Sequence, residues 1–241
     1  MLDIIAPVYN EAENIEHLFV EIASKIKVAK RVLLVYDSDE DDTLPVVALI
    51  KEQYDFPIEL KKNHYGKGVL NAIKTGLDTA TAEAVLVTMA DLSDDLGKVD
   101  EMYHLAQNGH DLVCGSRYMK GGKQLGGPLL KKTLSRIAGV SLHYVTGIPT
   151  HDVTNSFKLY TRCLFDAFRI ESTGGFELGM ELTVKAYVNG YRIAEIPTTW
   201  NDRTAGTSNF KMWNWIPRYL HWYFFCVRHS WFSKKSIHAH S

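Results

Sequence analysis

The sequence predicts an α/β fold, a Rossmann-like and mostly parallel sheet flanked by helices, closed by a C-terminal amphipathic helix. Three observations predict it. Short apolar runs alternate with helical patterns through the first half, as β-α-β units around a parallel sheet require. The residues just after several of those runs are polar and acidic, at the strand ends where open sheets of this kind bind ligands. The last segment, 210–232, changes composition and becomes aromatic and basic.

Taken in order, strands are expected over 3–7, 31–36, 58–61, 84–90 and 111–115. The first helix places Ile15, Leu18, Phe19, Ile22 and Ile26 on one apolar stripe, with Glu16, His17, Glu21 and Lys25 facing water. A second starts near Thr43 with Pro45 in its first turn, where a missing N–H costs nothing, and buries Val46, Leu49 and Ile50. A third follows Gly66-Lys67-Gly68 and uses Val69, Ile73 and Leu77. Beyond Gly115 the alternation breaks into a Gly-rich loop at 120–128, a helix over 129–145 and a short strand at 156–160. A helix over 176–189, closed by Gly190, and a strand at 192–197 complete the pattern.

Composition narrows the function. The chain has 241 residues, 46% hydrophobic and 23% charged, which suits one globular domain with a short appendage. Lys and Arg number 27 against 28 Asp and Glu, so no basic field exists to hold a nucleic acid, and any anion must meet a local site. Cys114, Cys163 and Cys226 are odd in number and lack C-x-x-C spacing, which disfavours a disulfide framework and a structural zinc site and points to a reducing cytoplasm. The N-terminus lacks the marks of a signal peptide, and no apolar run is long enough to span a bilayer.

Segment 210–232 holds four of the five tryptophans. As a helix it sets Lys211, Asn214, Arg218, His221 and Arg228 on one face and Trp213, Ile216, Leu220, Tyr223, Phe224 and Val227 opposite, the pattern of a helix lying in a membrane surface. The plainer alternative is a helix packed on its own domain, started or kinked at Pro217. The expected division is a catalytic domain at 1–209, a membrane-surface helix at 210–232 and a flexible tail at 233–241.

Carboxylates gather after the strands: Glu11 after the first, Asp37 to Asp42 after the second, Asp91, Asp94 and Asp95 after the fourth, with Arg117 after the fifth. Such a set suits a nucleotide whose phosphates are neutralised by Mg²⁺ or Mn²⁺, hard cations that choose oxygen ligands. Asp39 to Asp42 read better as a solvated turn and helix start, whereas Asp37 and Asp91 sit directly at strand ends. Gly66-Lys67-Gly68 lacks P-loop spacing and reads as a tight turn; His64 and His151 read as structural or solvated; no Gly-x-Ser-x-Gly element supports a nucleophilic serine.

Pro-Val-Tyr-Asn-Glu at 7–11, Asp37, Asn63 with Gly66 and Gly68, Ala90-Asp91-Leu92-Ser93, Gly115-Ser116-Arg117-Tyr118, Asp152 through Lys158, and Arg203-x-x-Gly206-x-Ser208 together resemble family 2 glycosyltransferases, nearest to the dolichol-phosphate mannose synthase-like branch. The ordered set runs from residue 3 to about residue 225. The resemblance implies a GT-A fold that binds a nucleotide-sugar donor and Mg²⁺ or Mn²⁺, and passes the sugar with inversion to a polyprenyl phosphate at the cytoplasmic membrane face. An oligomer stays open. It implies Pro7, Tyr9 and Glu11 around nucleobase and ribose, with Val35 and Asp37 also on the nucleotide sugar and Asp37 contacting the base. Asp91 becomes the metal ligand, joined by Ser93, while Ala90 lines the diphosphate; Arg117 and Arg203 pair with phosphates, and Asn209 is placed among the donor-binding residues.

Three positions depart from the family pattern. Tyr36 stands where the first Asp of a pair is common, Met89 where Asp-x-Asp begins, and Asn209 where a Lys usually follows Gly-x-Ser. A thioether is a poor ligand for Mg²⁺, so Asp94 or Asp95 are candidate stand-ins, and Lys211 is one for the missing Lys. Two other readings stay open: a saccharide-extending transferase, for which Glu177 or Glu181 would be the general base, and a silent nucleotide-sugar-binding subunit.

Overall fold

The computed structural model describes residues 1–175, 177–202 and 212–238. Strands β1 (Leu2–Val8), β2 (Lys30–Tyr36), β3 (Ile58–Lys62) and β4 (Ala84–Val87) alternate with α1 (Ile15–Lys25), α2 (Thr43–Ile50) and α3 (Val69–Thr79). The four strands run parallel in the spatial order β3-β2-β1-β4. Both faces of this half-sheet are covered, and its inner strands carry apolar runs, Ile4 to Ala6 of β1, Val32 to Val35 of β2 and Ala84 to Val87 of β4. Ile4 and Ala6 of β1 face Ile15, Leu18, Phe19 and Ile22 of α1, while Ile5 turns the other way and joins Leu33, Val35 and Ala72.

The second half follows α4 (Val99–Gln107) with β5 (Leu112–Ser116), β6 (Lys123–Leu125), α5 (Leu129–Thr146), β7 (Lys158–Thr161), α6 (Arg162–Ala167), α7 (Leu178–Val188), β8 (Ile193–Pro197), β9 (Thr199–Asn201) and α8 (Met212–His238). In the seven-stranded sheet β7 lies between β4 and β5, antiparallel to both, and β8 pairs parallel with β5. The reversal of β7 matters for function. Lys158, at the start of β7, pairs with Val87 and Cys114, so the loop preceding β7 arrives at the rim where β4 and β5 end.

Several elements differ from the sequence reading. Strand β4 stops at Val87 instead of residue 90, because Asp94 Oδ2 accepts from Thr88 Oγ1 (3.0 Å) and Met89 N (3.3 Å), drawing the chain off the ladder. The Gly-rich stretch contains β6, paired with β9 in a second small sheet. Helix α8 continues to His238, through most of the stretch expected to be a flexible tail.

Helix α8 carries three stripes instead of two. Trp222, Cys226 and Ser230, spaced by four, are buried, and the first two share a core with Leu142 of α5 and Met180 and Val184 of α7. Leu220, Phe224 and Trp231 form an adjoining exposed apolar stripe, 46%, 62% and 60% accessible. Arg218, His221 and Arg228 occupy the remaining polar side together with His229. The helix therefore packs on its own domain and still presents bulky apolar side chains outward. Gly174 makes the docking close, since a Cβ there would run into Trp215 and Arg218. Among the described residues no helix is long and apolar enough to cross a membrane.

Candidate active site

The loops after β1, β2, β4 and β5 and the loop before β7 meet at one rim of the sheet. After β4, Leu92 adopts a left-handed backbone (φ 60°), an uncommon conformation for a branched side chain, inside the Asp91-Leu92-Ser93 turn. The turn is closed by Ser93 N donating to Asp91 Oδ1 at 3.2 Å. Both Asp91 and Ser93 line a cavity of about 460 Å³. Asp94 points away into the protein. Burial, then the neighbouring Asp91 charge, push its carboxyl up to about 7.

The donor set bears on a cation. Asp91 supplies a carboxylate and Ser93 a hydroxyl, Met89 on the same cavity wall supplies only a thioether, and Asp94 Oδ2 is spent on Thr88 and Met89 N. Among the described residues no three acidic, His or Cys side chains converge to cage a metal. One carboxylate fits Mg²⁺ or Mn²⁺ in the mode where substrate phosphates and waters complete the shell, and does not fit an all-protein site. Asp94 is not among the residues that line this cavity, and its Oδ2 is hydrogen-bonded to Thr88 and to Met89 N.

After β5, Arg117 is held by the loop before β7. Its Nε donates to Asp152 Oδ2 (2.7 Å) and its Nη2 to Asp152 Oδ1 (2.9 Å), Ser135 Oγ (3.1 Å) and Thr154 Oγ1 (3.1 Å). The guanidinium also lies over the Tyr118 ring at 4.8 Å. Burial raises the carboxyl pKa of Asp152, but the Arg117 charge and hydrogen bonds outweigh it and hold the group below the usual carboxylate range. Lys158, fully buried beneath the loop, donates to the carbonyls of Val153 and Asn155, and burial pulls its ammonium pKa down. The sequence singled out Arg117 as a phosphate clamp; the structure adds that one edge of its guanidinium, Nε and Nη2, rests on Asp152. That partner lay in the quoted motif, but pairing across 35 residues has no signature in spacing.

The residues expected at the nucleotide occupy the neighbouring loops. Pro7 and Val8 end β1, and Tyr9 is exposed. Asn10 takes a left-handed backbone (φ 53°), with its N–H donating to buried Asp41. Glu11 Oε2 accepts from Asn14 Nδ2 at 2.7 Å. Val35 is buried in β2, with its backbone in the ladder and its side chain in a core cluster with Ile5, so it sits beneath the loop instead of facing out of it. Asp37 holds the Asn63-to-Gly68 loop through Asn63 Nδ2 (2.7 Å) and Gly68 N (2.8 Å). Ala90 is buried beside Asp91. Arg203, Gly206, Ser208, Asn209 and Lys211 lie outside the described residues.

From Asp91 and Arg117 the cavity continues between α5 and α8, where Leu134, Ile137 and Ala138 face Ile216, Leu220 and Phe224. Lys131 and Ser135 of α5 and Tyr219 of α8 stand at the junction of its polar and apolar parts. The sequence reading gave α5 only as a helix over 129–145 and did not see it as a wall, and in the fold its Leu129, Leu130 and Ile137 are exposed. Glu177 and Glu181 are committed elsewhere. Glu177 accepts from the backbone N–H groups of Thr173 (3.1 Å), Gly174 (2.9 Å) and Gly175 (3.0 Å), and Glu181 accepts from those of Glu171 and Ser172 and from Lys185 Nζ, each at 2.7 Å.

Comparison with known proteins agrees with this architecture. A dolichol-phosphate mannosyltransferase of Pyrococcus furiosus is 26% identical over 215 residues, covering 87% of this chain and 59% of the relative. A polyprenol monophosphomannose synthase of Mycolicibacterium smegmatis is 27% identical over 210 residues, 85% of this chain and 79% of that one. This chain thus spans less than two thirds of the archaeal relative. Among solved structures, glucosyl-3-phosphoglycerate synthase from Mycobacterium tuberculosis in complex with Mn²⁺, UDP-glucose and phosphoglyceric acid superposes with a TM-score of 0.68 at 14% identity, covering 94% of this chain and 79% of that chain. TarS of S. aureus in complex with UDP gives 0.61 at 19%, covering 83% and 60%. At such identities the likeness establishes the GT-A fold alone. The sequence profile described as Glycosyl transferase family 2 matches residues 3–168, more than half of the chain. With the order of strand-end motifs, the shared fold and that match in agreement, the chain belongs to glycosyl transferase family 2.

Proposed function

We propose that this protein transfers a sugar, with inversion, from a nucleotide-sugar donor to a polyprenyl phosphate presented at the cytoplasmic face of a membrane. The observation that carries the reading is the cavity, which joins Asp91 and Arg117 at a polar end to an apolar slot between α5 and α8. An acceptor with an anionic head and an isoprenoid tail matches that division. The names of the two mannosyl-transferring relatives point the same way.

The chemistry asks little of side chains beyond placement. A lipid phosphate is already an anion at neutral pH, so its oxygen attacks the anomeric carbon without a general base. The new C–O bond forms on the face opposite the one where the old bond breaks, and that bond's electron pair leaves with the nucleoside diphosphate. Mg²⁺ or Mn²⁺, held by Asp91 and Ser93 with the diphosphate, would supply charge neutralisation of the leaving group. Arg117, fixed by Asp152, adds a preorganised positive field at the junction. The loops bearing Pro7, Tyr9, Glu11 and Asp37 hold the nucleoside, and the family resemblance assigns Arg203 and Asn209 to the donor as well.

The saccharide-extending alternative needs a carboxylate base near the acceptor. Both candidates are occupied by backbone N–H groups, which disfavours it. The test is transfer by purified protein from a panel of nucleotide sugars to a short polyprenyl phosphate and to oligosaccharides. Cation-dependent transfer to the lipid phosphate is expected; transfer only to oligosaccharides would reject the reading, and no turnover with any pair would favour a silent subunit.

A further inference from the structure

We propose that Glu195, on the edge strand β8, is a positioning residue for Arg117: it holds the loop before β7 at Thr150 and His151, and through them sets Asp152 against the Arg117 guanidinium. The assignment rests on the role given to Arg117 under the polyprenyl-phosphate reading and deepens it. Glu195 belongs to none of the strand-end motifs, and it stands 44 residues from His151 in the chain.

The contacts form an unbroken line from β8 to the site. Glu195 Oε1 accepts from Thr150 Oγ1 at 2.9 Å and from the backbone N–H of His151, while Oε2 lies 2.8 Å from His151 Nδ1. An ionised carboxylate only accepts, so Nδ1 carries the hydrogen there. Thr150 Oγ1 in turn accepts from Asp152 N at 3.1 Å. Asp152 Oδ2 and Oδ1 then accept from Arg117 Nε and Nη2 at 2.7 and 2.9 Å. Thr150 and Asp152 are fully buried, so water does not compete for these bonds. One hydroxyl thus links the carboxylate of β8 to the residue that fixes the guanidinium.

Packing shows why residues 150–152 depend on this hold. The later part of the loop has its own anchors: Asn155 Nδ2 donates to the Gly115 carbonyl at 2.9 Å, and Lys158 Nζ donates to the carbonyls of Val153 and Asn155. On the earlier part the cavity wall α5 rests directly. A Cβ on Gly139 would come 2.2 Å from the His151 carbonyl oxygen, and the His143 ring stacks on that of His151 at 3.9 Å. Those contacts press on residue 151 without directing Asp152. Glu195 supplies the direction, since its three contacts converge on two consecutive residues, one of which bonds to Asp152 N. A displaced Asp152 would carry the guanidinium with it, away from the Ser135 and Thr154 hydroxyls that Nη2 also meets. Small losses of alignment of this kind are what a preorganised charge cannot tolerate.

Glu195→Ala tests this in the full chain, and Thr150→Val, which keeps the side-chain shape and removes only the linking hydroxyl, decides it if the first variant does not fold. Hydrogen exchange at the Arg117 backbone N–H, which donates to Asp152 Oδ2 at 3.1 Å, reads the arrangement without any turnover. It should accelerate about tenfold or more in both variants while the Ile4 amide in the central ladder exchanges as in wild type, a local effect that general destabilisation would not produce. Measured kcat/KM for a short polyprenyl phosphate should fall about 10- to 100-fold, whereas Glu195→Gln, which keeps an acceptor oxygen for Thr150 and His151 N, should stay within about threefold of wild type. Arg117 exchange that is unchanged, or that rises only in step with Ile4, overturns the assignment. So does a Thr150→Val protein with wild-type kcat/KM. A wild-type protein that transfers to no lipid phosphate overturns the functional reading, and the exchange comparison then decides the role of Glu195 by itself.

Discussion

Asp152 grips Arg117 through both carboxylate oxygens, Oδ2 on Nε at 2.7 Å and Oδ1 on Nη2 at 2.9 Å, with the Arg117 backbone N–H adding a third contact at 3.1 Å. The pair joins the loop after β5 to the loop before β7 and sits almost entirely out of water, with side chains 9% and 0% accessible. Arg117→Lys should not restore the arrangement, because an ammonium cannot span two carboxylate oxygens and two hydroxyls in one plane. Asp152→Ala leaves a buried cation without its partner and should cost about 3–5 kcal/mol of stability, read from urea denaturation. A loss below about 1 kcal/mol would show that the pair is not what holds the loops together.

Acid should weaken the fold through Asp152 and Asp3. Asp3 is fully buried and accepts from Arg31 and from the N–H groups of Thr81 and Ala82. Burial raises its pKa, yet those partners prevail and hold it below the ordinary range, as at Asp152. A depressed folded-state pKa means that the stabilisation is complete above the unfolded carboxyl value of about 4 and is lost as pH falls through the lower folded value. Tm followed downward from about pH 6 should therefore drop steeply below about pH 4, and Asp3→Asn should make that limb shallower. Parallel limbs for variant and wild type would contradict this.

Asp91→Asn should abolish transfer while leaving Tm within a few degrees of wild type. Among the described residues Asp91 is the one carboxylate lining the cavity, and its removal takes away the charge that would hold a cation with the diphosphate. Near-normal turnover with Mg²⁺ or Mn²⁺ present would refute the role.

Met89 faces the same cavity as Asp91 and supplies no hard ligand. Met89→Asp should add a second carboxylate and strengthen Mn²⁺ binding in the absence of nucleotide by about tenfold or more, measured by calorimetry or by the loss of free-ion Mn²⁺ resonance. Equal affinity in variant and wild type would mean that residue 89 does not reach the cation.

The outward stripe of α8 and the buried stripe should respond differently. Phe224→Glu and Trp231→Glu are expected to weaken binding to anionic vesicles roughly tenfold each with little change in Tm, because the side chains are exposed in the free protein. Trp222→Ala should instead cost about 3–5 kcal/mol of folding stability. Truncation after Asn209 would strip the partner from Leu142, Met180 and Val184, so a loss of folding on that truncation is the expected result. Unchanged vesicle binding in both Glu variants would place the membrane contact elsewhere.

Sequence alone determined the layered α/β architecture, since period-3.6 stripes such as Ile15, Leu18, Phe19 and Ile22 alternate with apolar runs, and local burial is enough to specify each element. It also placed Asp91 and Arg117 in the stretches that follow β4 and β5, because the position of a residue after a strand is itself local, although β4 ends earlier than the sequence reading had it. What tertiary structure decided is every relationship that depends on direction or on distant pairing. The antiparallel insertion of β7 brings Asp152 onto Arg117, and no periodicity in 156–160 encodes whether that strand runs with or against its neighbours. The same holds for Glu177 and Glu181, acidic residues that looked available as bases until the backbone of 171–175 folded over them. For α8, composition supplied the aromatic and basic stripes, but which of the aromatic residues face inward depended on the groove between α5 and α7. That groove exists only after the sheet has assembled, so only the folded chain separates buried Trp222 from exposed Phe224.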